Sequence, residues 1–179
     1  MSFAIALQSE VLKTKRTASF WMSILGAAFI PAIFLIKLLL DPAEVAPALK
    51  AAPWKMYFAI GWEGLSTFLF PMYIILVCAL IPQIEFKNNT WKQVFASPQS
   101  TGQIYFSKFL TVHLMIFLCY LLFNVFMILF AVVVNLVHSE YTFLQQPIDW
   151  STLMQLNAKT YISILGISAI QFWLSLRFK

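Results

Sequence analysis

The sequence predicts an all-α protein, a polytopic transmembrane helix bundle, and two observations carry this prediction. Hydrophobic residues make up 61% of the 179-residue chain and charged residues only 11%, and the apolar stretches are long and uninterrupted. A soluble domain has roughly 25% charged residues. This chain therefore cannot cover its surface with charge, and it requires lipid around it.

Long apolar stretches without alternation favour helices over strands. In hydrocarbon the backbone must be hydrogen-bonded within a helix or a closed barrel, and barrel strands alternate apolar and polar residues over about ten positions. Crossing the hydrocarbon takes about 20 helical residues. We therefore predict one transmembrane domain, residues 1–179, with four spans near residues 17–40, 64–84, 109–137 and 160–176. The fourth is short and carries Gln171, so we expect it to lie within a bundle.

Basic residues beside the predicted spans indicate the orientation. Bases cluster before the first span, between the second and third, and at the end of the chain, whereas the other two connections contain fewer of them. Since bases accumulate on the cytoplasmic side, we predict that both termini and residues 85–108 are cytoplasmic. Residues 41–63 and 138–157 would lie outside. Because the net charge of +5 is spread along these flanks, it does not indicate nucleic-acid binding.

Residues 85–108 are too polar to span the membrane, and they carry signals of local structure. Thr90-x-x-Gln93 and Ser100-x-x-Gln103 both have the spacing of a capping box, in which a hydroxyl and an amide satisfy free donors at a helix start. Pro98 ends the first of these helices, because the residue before a proline disfavours helical backbone. The pattern predicts a short helix, a turn, and then the third span.

The short helix would present one apolar face. Trp91, Val94 and Phe95 lie at helical spacing, with Lys87 and Lys92 close by. Two interpretations remain open, and they are compatible. The helix can lie at the lipid headgroups with its bases facing anionic lipid, or it can present an aromatic knob to a cytoplasmic protein partner.

The sequence contains no recognisable catalytic motif. It has no phosphate-cradling G-x-x-x-x-G-K-[ST] loop, no H-E-x-x-H, no G-x-S-x-G and no paired-cysteine metal spacing. We therefore expect no enzymatic activity, no cofactor and no metal ion in this chain. Three polar residues inside the predicted spans are candidates for intramembrane contacts with neighbouring helices or a pore: His113, Asn124 and Gln171.

Several residues between the second and third predicted spans resemble the cytoplasmic loop of ABC-2 type transporter permeases, in particular the bacterial branch that includes lantibiotic-immunity permeases. These residues are Glu85, Asn89-Thr90-Trp91-Lys92, Ser97-Pro98, Ser100 and Tyr105-x-Ser107-Lys108. The resemblance implies the membrane-spanning permease subunit of an ATP-driven exporter in the bacterial inner membrane.

In that family the loop holds a coupling helix that docks into a groove of a separate ATPase subunit, which binds ATP and Mg²⁺. The resemblance assigns docking in this chain to Glu85, Thr90, Trp91, Val94, Phe95 and Pro98. Glu85 would anchor the loop by pairing with Lys87, Lys92 or Lys108. The resemblance also implies a permease dimer, with a second copy or a homologous permease, and an N-terminal interfacial helix within residues 1–16.

Family members usually have six spans, whereas this sequence contains four. We therefore expect either a truncated chain or a natural variant of a six-span permease. Two alternative functions remain. A non-transporting membrane anchor or assembly subunit is compatible with four spans, whereas an integral membrane enzyme acting on lipid would need clustered acids or histidines, and the seven acidic residues are scattered.

Overall fold

The computed structural model describes residues 3–15, 17–40, 52–88, 90–92, 99–138 and 141–178. Five long helices follow one another in these residues: α1 (Phe3–Thr14), α2 (Ala18–Leu40), α3 (Pro53–Lys87), α4 (Thr101–Val137) and α5 (Trp150–Arg177). A 3-10 turn at Phe143–Gln145 precedes α5. The described residues contain no strand, and the prediction of an all-α bundle is confirmed.

Three helices of the described part are long and apolar enough to cross a membrane. They are α2 with 23 residues, α3 with 35 and α4 with 37, and they contain the first three predicted spans. At a rise of about 1.5 Å per residue, α3 and α4 exceed the roughly 30 Å of a hydrocarbon core. The fourth predicted span, 160–176, lies in α5, which has 28 residues but is not among the three, so its crossing stays a prediction.

Besides α4, whose early start the Ser100 capping box predicted, two helices begin earlier than the predicted spans that they contain. The second span was expected near residue 64, but α3 begins at Pro53. Proline is favourable there, because the first residues of a helix do not use their N–H in the helix. The fourth was expected near residue 160, but α5 begins at Trp150. The Asp149 side chain caps it by accepting hydrogen bonds from the Thr152 N–H at 3.0 Å and the Thr152 hydroxyl at 2.7 Å. The same bonds hold the pKa of Asp149 below its usual value.

A π-helical turn interrupts α3 at Leu65–Leu69, just before Pro71. The Phe70 N–H donates to the carbonyl of Leu65, five residues back. Pro71 has no N–H, and a proline ring crowds the carbonyl four residues before it in an α-helix. The wider turn relieves that crowding, so the helix continues through the proline.

The central helix of the bundle is α4, which contacts α1, α2, α3 and α5. Its start confirms the second predicted capping box, since Ser100 and Gln103 exchange side-chain-to-backbone hydrogen bonds. Its most extensive packing is with α2. Three small residues of α2 spaced by four, Ser19, Ser23 and Ala27, are fully buried, and small side chains let helix backbones approach closely.

The short helix α1 lies within the predicted interfacial segment and packs against α4. It buries a stripe spaced by four residues, Ala6, Glu10 and Thr14. The large apolar residues Ile5 and Leu12 stay exposed. The inward face of α1 therefore carries a carboxylate into the bundle.

Candidate coupling site at the α1 end of the bundle

Four charged side chains from three helices meet at the end of the bundle where α1 lies. This ion cluster consists of Glu10 and Lys13 of α1, Glu85 of α3 and Lys108 of α4. The Lys108 Nζ lies 2.7 Å from Glu10 Oε2 and also contacts the Glu85 carboxylate. The Lys13 Nζ lies 2.7 Å from Glu10 Oε1 and 3.0 Å from Glu85 Oε1. Two cations and two anions make the cluster formally neutral.

Most of the ion cluster is out of contact with solvent. Lys108 is 0% exposed and Glu85 2%, whereas the Lys13 side chain is 38% exposed. Buried charges persist in proteins when they are paired, and removing one partner of a buried pair costs about 3–5 kcal/mol. Burial acts to lower the pKa of Lys13, but its contacts with Glu10 and Glu85 outweigh burial and raise that pKa. The cluster therefore holds α1, α3 and α4 in one arrangement.

Helical periodicity brings Glu85 and Lys108 inward. Glu85 lies one turn after Ile81 and two turns after Cys78, both buried on the same face of α3. On α4, Lys108 follows the buried Ile104 by one turn. Both charged residues therefore lie on the core-facing sides of their helices, and they contact each other there.

The beginning of the segment after α3 folds back onto the ion cluster. The Thr90 N–H donates to the carbonyl of Glu85 at 3.0 Å. The Trp91 ring lies 4.9 Å from the Phe86 ring, and the Lys108 ammonium lies 5.6 Å from the Trp91 centroid. This is the geometry of a cation–π contact. Trp91 is consequently half-buried in its own chain, and the neighbouring Lys92 is exposed.

The structure therefore brings Glu85, Thr90 and Trp91 of the predicted docking set together. Among the three lysines that the sequence offered to Glu85, Lys108 is the one in contact with it. Val94, Phe95 and Pro98 lie outside the described residues, as does most of the short helix predicted there. The docking roles of all six residues stay predictions.

Two of the polar residues predicted inside the spans join α4 to α5. His113 Nδ1 lies 3.1 Å from the Tyr161 hydroxyl. The Asn124 amide donates to Asn157 Oδ1 at 2.9 Å, and Asn157 donates back at 3.4 Å. Gln171 is half-buried on α5, and its side chain makes no hydrogen bond to any other described residue.

Sequence reasoning missed Glu10 and Lys13 as members of the site. Lys13 counted only among the basic residues before the first span, and Glu10 was assigned no role. A partial signal was present, because Glu10 and Lys13 have the i, i+3 spacing of a helical ion pair. In the part of the chain that the structure describes, no three His, Cys, Asp or Glu side chains are placed to hold a metal ion.

Comparison with known proteins supplies the family. A family model described as "ABC-2 family transporter protein" matches residues 6–179, a range that includes most of α1 and all of α2 to α5. No curated protein and no solved structure matches the chain. The match covers nearly the whole sequence and confirms the resemblance first drawn from residues 85–108. The chain is a membrane-embedded member of the ABC-2 transporter family.

Proposed function

We propose that this chain is the permease subunit of an ATP-driven ABC-2 exporter, driven by a separate ATPase subunit through the segment that follows α3. The observation that supports this most is the ion cluster. It joins the beginning of that segment to α1, α3 and α4 at once, so a force on the segment acts on three helices.

The ion cluster is suited to transmit motion, because its buried charges keep α1, α3 and α4 from sliding past one another. Lys108 is fully buried between Glu10 and Glu85. Separating it from either partner would leave a buried charge unpaired, which is strongly unfavourable. Displacement of the segment is therefore passed to α3 and α4 as a unit rather than absorbed by a flexible loop.

On this proposal the N-terminus and residues 85–108 face the cytoplasm of a bacterial cell. The ATPase binds ATP and Mg²⁺, since the sequence of this chain has no phosphate-cradling loop. Trp91, Val94 and Phe95 contact the ATPase, while Thr90 and Pro98 begin and end the docking helix. A second copy or a homologous permease completes the transport path, as in a dimer of membrane subunits.

Co-purification tests the proposal. The tagged full chain is isolated from native membranes, and the eluate is assayed for ATP hydrolysis and for a protein containing a G-x-x-x-x-G-K-[ST] loop. We expect both in the wild type. The Lys92→Glu substitution reverses an exposed charge in the docking segment and leaves the Trp91 packing intact, so it should reduce ATPase recovery at least several-fold.

Lys55→Glu is the matched control, because Lys55 is equally a surface lysine but lies at the start of α3, at the opposite end. We expect it to retain the ATPase. Recovery that is unaffected by Lys92→Glu, or absent from the wild type, would contradict the proposal. The second result would favour a non-transporting membrane anchor.

A further inference from the structure

An apolar groove lies between α2 and α3 and opens on the lipid-facing side of the bundle. Its cavity is about 280 Å³. Buried residues, among them Leu65, Phe70 and Cys119, form its floor, and exposed ones such as Leu25, Phe29 and Met72 form its rim. These residues lie well inside the apolar helices α2, α3 and α4, so the groove is at the depth of the hydrocarbon.

Two backbone features make room for the groove. Gly26 of α2 lines it, and a Cβ placed there would meet only Tyr73, at 3.9 Å. On the other wall, Leu65 and Leu69 are the first and last residues of the π-helical turn in α3. π-helical turns are frequent at functional sites. No charged side chain lines the groove.

Two buried hydrogen-bond donors behind the floor have no partner among the residues that the structure describes. The floor residue Phe70 stacks on Tyr120 with ring centroids 4.9 Å apart, and Tyr120 lies 5.2 Å from Trp62. Tyr120 is 4% exposed and Trp62 1%. Within the described residues neither the Tyr120 hydroxyl nor the Trp62 Nε1 makes a hydrogen bond. Unpaired polar groups are strongly unfavourable inside a membrane.

Tyr73, which lines the groove, has a hydroxyl that is hydrogen-bonded. The Tyr73 hydroxyl lies 2.7 Å from the Ser23 hydroxyl and donates to the carbonyl of Met115 at 2.9 Å. Within the part of the chain that the structure describes, the Tyr120 and Trp62 donors lack such partners. A ligand that supplies a hydrogen-bond acceptor would remove this penalty.

We propose that the groove binds the alkyl chain of a neutral amphiphile, whose amide or ester carbonyl accepts hydrogen bonds from Tyr120 and Trp62 when the Phe70 ring turns aside. The apolar, uncharged lining favours a neutral molecule, because a charge at this depth would be unpaired. The volume is at the lower limit of ligand pockets, about 300 Å³, and suits one chain. That such an amphiphile is the transported substrate class rests on the proposed function; its binding does not.

Binding is tested on the purified full chain in phosphatidylcholine nanodiscs. The probes are N-dodecanoylglycinamide, which is neutral with two amide carbonyls, and dodecyltrimethylammonium, a cation with an alkyl chain of nearly the same length. A ligand that binds the folded state raises the Tm. We expect the neutral probe to raise the Tm in a saturable way and the cation to have little effect. Equal shifts with both probes would show that any chain, including that of a bilayer lipid, fills the groove, and would overturn the proposal.

Gly26→Leu fills the groove and should abolish the shift. Gly166→Leu is the matched control, since it makes the same change in a helix at a position where no atom lies within 4 Å of the added Cβ. It should keep the shift. A shift that survives Gly26→Leu would overturn the proposal.

Tyr120→Phe distinguishes the polar anchor from simple packing. Removing an unsatisfied buried hydroxyl should leave the Tm of the free protein equal or higher, yet weaken binding of the neutral probe roughly threefold to tenfold, as expected for one neutral hydrogen bond. Unchanged affinity would overturn the role of Tyr120. Because no ATPase is present in these measurements, a failure of coupling and a failure of this site give separate results.

Discussion

The two ends of the bundle are held together by different chemistry. At the α1 end, the ion cluster joins three helices through buried charges. At the opposite end, an aromatic cluster of Trp54, Tyr57, Phe58, Tyr141 and Phe143 joins the start of α3 to the connection before α5. The Trp54 Nε1 donates to the carbonyls of Phe143 at 3.0 Å and Gln146 at 3.1 Å, and its ring lies 5.1 Å from that of Phe143.

The difference concerns how much each end tolerates displacement. Apolar burial is non-directional and roughly proportional to area, so an aromatic cluster can shift by a small distance and keep most of its stabilisation. A buried charge must keep its partner. The α1 end is thus suited to be a fixed joint, and the aromatic end to adapt while the helices between them move.

Removing the central cation should have the largest effect. Lys108→Met leaves two glutamates buried without compensation by a buried cation. We expect the free energy of unfolding to fall by about 3–5 kcal/mol, which would be seen as a lower thermal unfolding midpoint of the protein in detergent. Adding Glu10→Gln and Glu85→Gln to Lys108→Met removes the stranded charges and should recover most of the loss. Wild-type stability in the single variant would contradict the fixed-joint interpretation.

A smaller effect is expected at the aromatic end. Trp54→Phe keeps a ring in the cluster but deletes the donor to the Phe143 and Gln146 carbonyls, and we expect a loss of about 1–2 kcal/mol in the same unfolding measurement. Trp150→Phe is the control. Because Trp150 is 55% exposed, this substitution should leave the free energy of unfolding nearly unchanged. A loss at Trp54 as large as that at Lys108 would remove the contrast between the two ends.

The smallest effect is expected at the exposed edge of the ion cluster. Lys13→Met removes a cation whose side chain is 38% exposed, and solvent screening limits the loss to about 0.5–1 kcal/mol. Since the folded-state pKa of Lys13 is raised, its stabilising contribution is complete at neutral pH. The difference between wild type and variant should therefore disappear only as the pH rises through that alkaline pKa, as unfolding midpoints at increasing pH would show.

The sequence predicted what local rules determine. The capping box at Ser100 follows from spacing alone, whereas the contact of Glu85 with Lys108 was one of three pairings that the family resemblance left open. The early starts of α3 and α5 were missed, because polar residues near those starts, such as Lys55 and Gln155, interrupt an apolar run, whereas Pro53 and Asp149 still favour helix.

The ion cluster itself could not be predicted, because Glu10 and Lys108 are 98 positions apart and meet only when α1 packs against α4. The inward stripe of α1 is composed of a small apolar, a charged and a hydroxyl residue, a pattern typical of a solvent-facing side. The Trp62 and Tyr120 donors, which have no hydrogen-bond partner among the described residues, likewise depend on how α3 packs against α4, which periodicity does not reveal.

Sidedness is the most direct test of the central claim, that the segment after α3 faces the compartment where an ATPase can act on it. Lys92→Cys and Lys55→Cys place thiols at exposed positions at the two ends, and the native Cys78 and Cys119 are buried. In intact spheroplasts treated with a membrane-impermeant maleimide, we expect labelling at position 55 and none at position 92 until the membrane is opened. Labelling at position 92 in intact spheroplasts would contradict the account.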